Sequence, residues 1–158
     1  MEFQETVDIV QSFDGSLVLL PDEHSGFPEL SWGDAYFYFA PDGLIPERTQ
    51  PYATIITKNY PDDHASRLDA PGRFRVNIHV GRDEAARLVG PTEVDPAETD
   101  AFFAHPLYGA SGWVSVVNRW RADGGCGDHA AASGARRGGG TRIPSRGGAV
   151  TAWCPHSR

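Results

Sequence analysis

Three polar residues occupy every second position of one short segment, and their side chains could form the floor of a small-molecule site. Arg75, Asn77 and His79 alternate with apolar residues over 74–80. Because successive side chains of a strand point to opposite faces of a sheet, the three share one face. Aromatic and polar side chains of neighbouring strands could converge with them, as in many small-molecule sites. The candidate ligand-binding residues are Trp32, Tyr36, Tyr38, Thr54, Lys58, Arg75, Asn77, His79, Tyr108 and Trp113. An open face in contact with solvent is the alternative interpretation.

A histidine and an aspartate are candidates for acid–base catalysis. His105 lies in the loop His105–Gly109, and a histidine titrates near neutrality, so it could act as a general acid or base. Asp34, in the segment Ser31–Asp34, could orient it. A hydrolase-like enzyme would need His105 within ~2.6–3.2 Å of a carboxylate or hydroxyl in a cleft. In the alternative, His105 fixes its own loop by a backbone hydrogen bond and Asp34 caps a turn.

Other site chemistries have little support in the sequence. The histidines and aspartates show no recognised metal-ligand spacing, so we expect no metal site and no cofactor. Both cysteines, Cys126 and Cys154, lie within residues 120–158, and no Gly-x-Ser-x-Gly segment is present. The glycine-dense run Gly138–Gly140 follows no predicted strand and opens no helix, so it does not indicate a phosphate-binding loop.

The charge distribution bears on the choice of partner. Residues 1–119 carry 19 Asp and Glu against 8 Lys and Arg, a net charge of −11. Such a surface repels the phosphates of nucleic acids and of anionic membranes, so neither is an expected partner. The N-terminus is acidic, and the longest apolar run, Ala35–Ala40, is far shorter than the ~20 residues of a membrane-spanning helix. We therefore expect a cytoplasmic protein whose partner is a small molecule or another protein.

Apolar periodicity predicts which elements position these residues. Period-2 or apolar segments at 16–20, 35–40, 52–57, 74–80 and 113–117 predict strands. Helices are predicted at 2–13, at 83–89 and at 95–104, the last because Asp95-Pro96 is a good helix start. This order favours one α+β domain over residues 1–119, with a single mixed or antiparallel sheet and helices mainly on one face.

Residues 120–158 have a different character. Gly, Ala, Arg, Ser and Pro make up 27 of these 39 residues, and no helical or strand period is present. Such a segment cannot bury enough apolar area to offset the ordering entropy of ~1–2 kcal/mol per residue. We expect a disordered C-terminal tail.

Three groups of segments carry a resemblance to a known family. They are Ser31–Asp34 running into 36–43; 50–61 with 67–72 and 74–77; and His105–Gly109 with Gly112, Trp113 and Asn118. Together they resemble a family of bacterial proteins, domain of unknown function 6194, over nearly all of residues 1–118. The order of elements is also distantly similar to the MmcQ/YjbR-like α+β fold. Neither resemblance implies a catalytic site.

The resemblance ends after Asn118. In the family, this strand is followed by a proline and an amphipathic C-terminal helix, whereas here Arg119-Trp120 lead into the tail. Our hypothesis is that a frameshift near codon 119 replaced the helix, because GC-rich DNA read out of frame gives mostly Gly, Ala, Arg, Pro and Ser codons. Loss of the helix would expose apolar sheet area at ~25 cal/mol per Å² and favour aggregation.

These observations favour a small binding module for a ligand or a protein. An enzyme that uses His105 with Asp34 is the alternative. DNA binding, suggested by the distant fold resemblance alone, comes third because of the acidic charge.

Overall fold

A computed structural model describes residues 2–119, and the predicted tail, residues 120–158, lies outside these described residues. The described chain contains two α-helices and six strands. The helices are α1 (Phe3–Gln11) and α2 (Arg82–Val89). The strands are β1 (Ser16–Leu19), β2 (Ala35–Phe39), β3 (Ala53–Ile56), β4 (Arg73–His79), β5 (Phe102–Ala104) and β6 (Trp113–Arg119). Each of the five predicted strands and the first two predicted helices is confirmed, with ends within two residues of the prediction.

The six strands form one open sheet in the order β1-β2-β3-β4-β6-β5, with antiparallel pairing between all neighbours. The first four strands follow each other along the chain, and β6 then lies between β4 and the short edge strand β5. The α+β class is confirmed, and the sheet is antiparallel.

One face of the sheet packs against α1. Val7 of the helix is 1% exposed and belongs to a cluster of apolar strand residues. The members from the sheet are Ala35, Phe37, Ala53, Ile55, Phe74 and Val76. Because side chains alternate along each strand, the residues between them point to the opposite face. We call this opposite face, which carries Tyr36, Thr54, Arg75, Asn77 and Ser115, the polar face.

The helix predicted at 95–104 is wrong. One turn forms at its start, where Asp95 Oδ1 accepts a hydrogen bond from the amide of Ala97 at 2.9 Å. The chain then leaves the helical path at Asp100, which has a positive φ of 62° and donates its amide to Val117 O. Beyond it, β5 has the alternating burial of a strand, with Phe103 inside. The helix-start signal at Asp95-Pro96 depends on local sequence alone. The two consecutive phenylalanines of β5 are stabilised instead by pairing with β6.

A tight turn fixes the start of β6. Gly112 has a φ of +88°, and its carbonyl accepts hydrogen bonds from the amides of Val80 and Gly81 at 3.0 and 3.2 Å. A Cβ at Gly112 would lie 2.5 Å from the carbonyl carbon of Gly81, so only glycine fits without a shift. The turn thereby holds Trp113 beside His79, the two rings lying 5.5 Å apart.

Candidate functional site

A row of polar side chains crosses four neighbouring strands of the polar face. Ser115, Asn77, Thr54 and Tyr36 are successive register partners on β6, β4, β3 and β2. Ser115 Oγ donates to Asn77 Oδ1 at 2.8 Å, and Asn77 Nδ2 donates to Thr54 Oγ1 at 3.0 Å. The first three are almost completely buried. Because buried polar groups need partners, these bonds fix the orientation of each side chain.

Above this row lies a cavity of about 350 Å³. Its polar lining comprises Tyr36, Gln50, Thr54, Tyr60, Asp63, Arg75, Asn77, His105 and Tyr108, and its apolar lining Pro51, Ile56, Leu107 and Trp113. The cavity thus combines aromatic surfaces with hydrogen-bonding groups, and its lining residues come from four strands and three loops.

A buried ion pair forms one wall of the cavity. The guanidinium of Arg75 donates two hydrogen bonds to the carboxylate of Asp63, one of them from Nη1 to Oδ1 at 3.0 Å, and Nη1 also donates to Ser66 Oγ at 3.0 Å. Burial alone would raise the pKa of Asp63, but the hydrogen bonds and charge of Arg75 outweigh it and hold that pKa below its usual value. In the part of the chain that the structure describes, Arg75 Nε is buried without a hydrogen-bond acceptor.

The loop that carries Asp63 is held by its own backbone. Asp63 donates its amide to Tyr60 O at 2.9 Å, and Tyr60 donates its amide to Asp63 O at 3.3 Å. This closed turn brings both side chains to the cavity. Beyond it, Leu68 is 2% exposed and packs with Ile56, Phe103 and Val117, which anchors the loop on the polar face.

His105 lies beside the ion pair and is only 6% exposed. Its Nδ1 accepts hydrogen bonds from the amides of Leu107 at 3.1 Å and Tyr108 at 3.4 Å. A ring nitrogen that accepts carries no hydrogen, so these two amide bonds place the hydrogen of the neutral imidazole on Nε2, which lies 3.4 Å from Arg75 Nη2. Burial, and then the charge of Arg75, lower the pKa of His105 to about 4, with Asp63 opposing this. His105 is therefore neutral near pH 7.

Asp34 begins a second hydrogen-bonded chain, which ends in the cavity. The residue is 0% exposed, and its Oδ1 accepts from the amide and the hydroxyl of Thr57, each at 2.9 Å. Its Oδ2 accepts from the hydroxyl of Tyr60 at 2.6 Å, and the hydroxyls of Tyr60 and Tyr36 lie 3.0 Å apart. Burial, together with these partners, raises the pKa of Tyr60 far above its usual value. The Tyr60 hydroxyl therefore stays protonated and donates its hydrogen to Asp34.

The structure brings together part of the predicted ligand-binding set. Tyr36, Thr54, Arg75, Asn77, Tyr108 and Trp113 all line the cavity. Trp32 and Lys58 lie together elsewhere, because Lys58 Nζ donates to Trp32 O and lies 3.4 Å from Asp34 Oδ1. Tyr38 and His79 share the polar face but are not part of the cavity lining; His79 packs on Trp113 and bonds Ser111 O at 3.1 Å.

The two residues of the predicted catalytic pair have separate partners. Asp34 is bonded to Thr57, Lys58 and Tyr60, whereas His105 is bonded to its own loop and lies 4.0 Å from Asp63 Oδ2. The carboxylate near His105 is thus Asp63, which is itself paired with Arg75. His105 accepts hydrogen bonds from the amides of its own loop, and its Nε2 lies 3.4 Å from Arg75 Nη2.

Sequence reasoning missed Tyr60 and Asp63 as members of the site. Both come from an irregular loop, where no period predicts which side chains point inward. One signal was present. A buried arginine in the interior of a strand needs a carboxylate partner, and Asp63 lies only 12 residues before Arg75 in the sequence. Residues 2–119 hold no group of three or more His, Cys, Asp or Glu side chains arranged to bind a metal ion. In the same range, no helix has the length and hydropathy to cross a bilayer.

Comparison with known proteins identifies the family. The profile of the family of unknown function DUF6194 matches residues 1–124. Neither a curated protein nor a solved structure matches the chain. The chain belongs to the DUF6194 family, as the resemblance implied.

Proposed function

We propose that this DUF6194 protein is a binding module that holds a small organic molecule in the cavity on the polar face. The observation that carries the proposal is the cavity itself, about 350 Å³ in volume, with the polar row at its floor and aromatic side chains around it. Small-molecule sites commonly have volumes of roughly 300–1,000 Å³ and a few oriented polar groups among apolar and aromatic ones.

The polar groups at the cavity support a ligand more than a simple solvated face. Asn77, Ser115 and Arg75 are each no more than 2% exposed. Burial of these polar side chains costs the free energy of their hydration. Within residues 2–119, the hydroxyl of Thr54 accepts a bond from Asn77 Nδ2, and its own hydrogen has no hydrogen-bond acceptor of good geometry. A bound molecule with an acceptor atom would satisfy this donor, and that would recover part of the cost.

Binding is better supported than acid–base catalysis. A general base at the cavity needs a nitrogen or oxygen that can take up a proton near neutral pH. His105 Nδ1 already accepts two amide hydrogens, and Nε2 carries the ring hydrogen. Asp63 is held by Arg75 with a lowered pKa, so it too is a poor base. The groups at hand orient a molecule rather than move its protons.

A fragment screen monitored by two-dimensional amide NMR tests the proposal on the full-length protein. Neutral aromatic fragments at millimolar concentration should shift the amide signals of Thr54, Asn77 and Leu107–Tyr108. The amides of Asp8, on the helix that packs against the opposite face of the sheet, and of Leu44, which lines another surface region, serve as internal controls. A screen of several hundred fragments that leaves the cavity signals in place would refute the proposal.

A matched pair of variants adds a second check. Leu107 is 50% exposed and lines the cavity, whereas Leu44 is 69% exposed and lies in another surface region. Leu107→Trp should weaken fragment binding because the larger ring narrows the cavity, and Leu44→Trp should not. Equal affinities for the two variants would speak against binding at this cavity.

A further inference from the structure

We infer that the ligand is an uncharged molecule that presents an N–H or O–H donor to Tyr36 and a carbonyl or ring-nitrogen acceptor to Thr54. The inference rests on the proposed function, since it specifies the chemistry of the molecule that the same cavity would hold. It follows from the direction of the hydrogen bonds in the two chains that end at the cavity and from the charge balance around it.

The chain from Asp34 makes Tyr36 an acceptor. A tyrosine hydroxyl has one hydrogen to donate. Tyr60 donates its hydrogen to Asp34 Oδ2 at 2.6 Å, so in the 3.0 Å contact between the tyrosine hydroxyls Tyr36 must be the donor. The hydrogen of Tyr36 is thereby used, and its oxygen can only accept a further bond. A ligand group that meets this oxygen must be a donor.

The chain from Ser115 makes Thr54 a donor. Ser115 Oγ donates to the amide oxygen of Asn77, and the amide nitrogen of Asn77 donates to Thr54 Oγ1. Thr54 therefore accepts one bond and keeps its own hydrogen for another group. A ligand atom that meets this hydroxyl is best an acceptor.

The charges at the cavity cancel. The guanidinium of Arg75 and the carboxylate of Asp63 form a two-point pair, with side chains 3% and 7% exposed. Lys58 pairs with Asp34 at 3.4 Å and is not part of the cavity lining. An anion would face the carboxylate of Asp63 and a cation the guanidinium of Arg75, and either would lose its water shell without a free counter-charge. An uncharged ligand avoids this cost.

Tyr36 and Thr54 are adjacent on the sheet, because they are direct cross-strand partners of β2 and β3. Their Cβ atoms are therefore about 4.5–5.5 Å apart. A single small molecule can span the acceptor and the donor. The aromatic rings of Tyr108 and Trp113 at the cavity favour a flat ligand, since aromatic surfaces stack well.

Two sets of probes test this chemistry with the full-length protein at pH 7. In the first, 4-hydroxyacetophenone has one donor and one acceptor, 4-methoxyacetophenone lacks the donor, and 4-ethylphenol lacks the acceptor. In the same set, 4-hydroxybenzoate is an anion and 4-hydroxybenzylamine a cation. The second set, 2-pyridone and N-methyl-2-pyridone, places donor and acceptor closer together. Affinities are measured by NMR titration.

The neutral probe with both groups should bind best in at least one set. Loss of either group should weaken binding roughly threefold to tenfold, which corresponds to one hydrogen bond. Tyr36→Phe should weaken the binding of 4-hydroxyacetophenone by a similar factor and leave the affinity for 4-methoxyacetophenone unchanged. Thr54→Val should weaken the binding of 4-hydroxyacetophenone and leave the affinity for 4-ethylphenol unchanged. Tyr38→Phe is the control, because Tyr38 lies on the same strand and face but does not line the cavity.

The outcomes separate this inference from the proposed function. The inference is overturned if probes shift the cavity signals but the anionic or cationic probe binds most tightly. It is also overturned if methylation of the probe's donor group leaves its affinity unchanged. In both cases the proposed function as a binding module is retained. If no probe of either set shifts the cavity signals, the proposed function fails and the inference fails with it.

Discussion

Arg75 and Asp63 form a two-point ion pair at the cavity, and both side chains are at least nine-tenths buried. A buried charge is costly without its partner, because neither water nor a mobile counter-ion can replace it. The pair links the middle of β4 to the loop that carries Tyr60, so it also sets the position of the hydrogen-bonded chain from Asp34. The same interaction thus stabilises the fold and leaves the cavity without net charge.

We expect Asp63→Ala to lower the free energy of unfolding by about 3–5 kcal/mol, since it leaves the Arg75 charge buried and unpaired. Urea denaturation measures this change. Replacing both partners, as Asp63→Leu with Arg75→Met, should recover much of the loss because no charge remains. Glu84→Ala breaks an exposed ion pair with Arg87 and is the control, with no resolvable change expected. A similar small effect at Asp63 would contradict the assignment of a buried pair.

His105 should make the protein less stable as the pH falls from about 6.5 to about 4. Its folded pKa is about 4, below the ordinary histidine value of 6.5, so in this range the unfolded chain binds a proton that the folded protein does not. The loss amounts to about 3 kcal/mol at pH 4 and below. Asp63, whose folded pKa is also lowered, loses its own contribution only below the ordinary aspartate value of about 4. The two contributions therefore occupy different pH ranges.

Urea denaturation at pH 7.5, 6, 5 and 4 measures this dependence. His105→Gln should remove most of the slope between pH 6.5 and 4, because a glutamine carbonyl can accept the loop amides without titrating. His24→Gln is the control, since the His24 side chain is 84% exposed. Nitrogen-15 shifts of the imidazole should also identify Nε2 as the protonated ring nitrogen at pH 7. A proton on Nδ1 would contradict the geometry of the loop.

The strands of the site were predictable from the sequence, and the contacts between them were only partly so. Alternation over 74–80 placed Arg75 and Asn77 on one face without any knowledge of neighbouring strands. Their convergence with Thr54 and Tyr36 depends on strand order and register, which a single sequence does not encode in a local pattern. The error at 95–104 has a related cause, since the pairing of Phe103 with Ser115 of β6 is decided over a distance of 12 residues.

Tyr60 and Asp63 were beyond such reasoning because their positions depend on how one loop folds over the sheet. Leu68 anchors that loop by packing against Ile56 and Phe103, residues that are distant along the chain. The bond from Tyr60 to Asp34 likewise joins residues 26 positions apart. Local patterns can indicate that a buried arginine needs a carboxylate, but only the folded chain selects which one.

Removing the hydroxyl of Tyr60 should weaken the fold by about 1–3 kcal/mol, because the buried Oδ2 of Asp34 loses its hydrogen bond and Tyr36 loses its acceptor. Tyr60→Phe keeps the ring and its packing. Tyr38→Phe is the matched control, since the structure gives the Tyr38 hydroxyl no hydrogen bond within residues 2–119. Thermal unfolding of both variants measures the difference. Equal midpoints would show that the chain from Asp34 is not formed in solution.

The glycine before Trp113 should be the most sensitive glycine near the site. Gly112 and Gly43 both have a positive φ, of 88° and 73°, so alanine at either position carries a backbone cost of about 1–2 kcal/mol. They differ in available space: a Cβ at Gly43 meets no atom within 4 Å, whereas one at Gly112 would lie 2.5 Å from Gly81 C and 2.7 Å from Arg82 N. Because these are backbone atoms at the start of α2, they cannot move aside as a flexible side chain would.

Gly112→Ala is therefore expected to cost about 1–3 kcal/mol more than Gly43→Ala in the free energy of unfolding. The displacement would also reach the cavity, since the Gly112 carbonyl accepts the amides of Val80 and Gly81 and so fixes the start of β6. Amide NMR should accordingly show shifts at Trp113 and His79 in Gly112→Ala but not in Gly43→Ala. Equal destabilisation by the two variants would mean that the backbone of 81–82 does not approach Gly112 as closely as described, and the position of Trp113 at the cavity would then lose its structural basis.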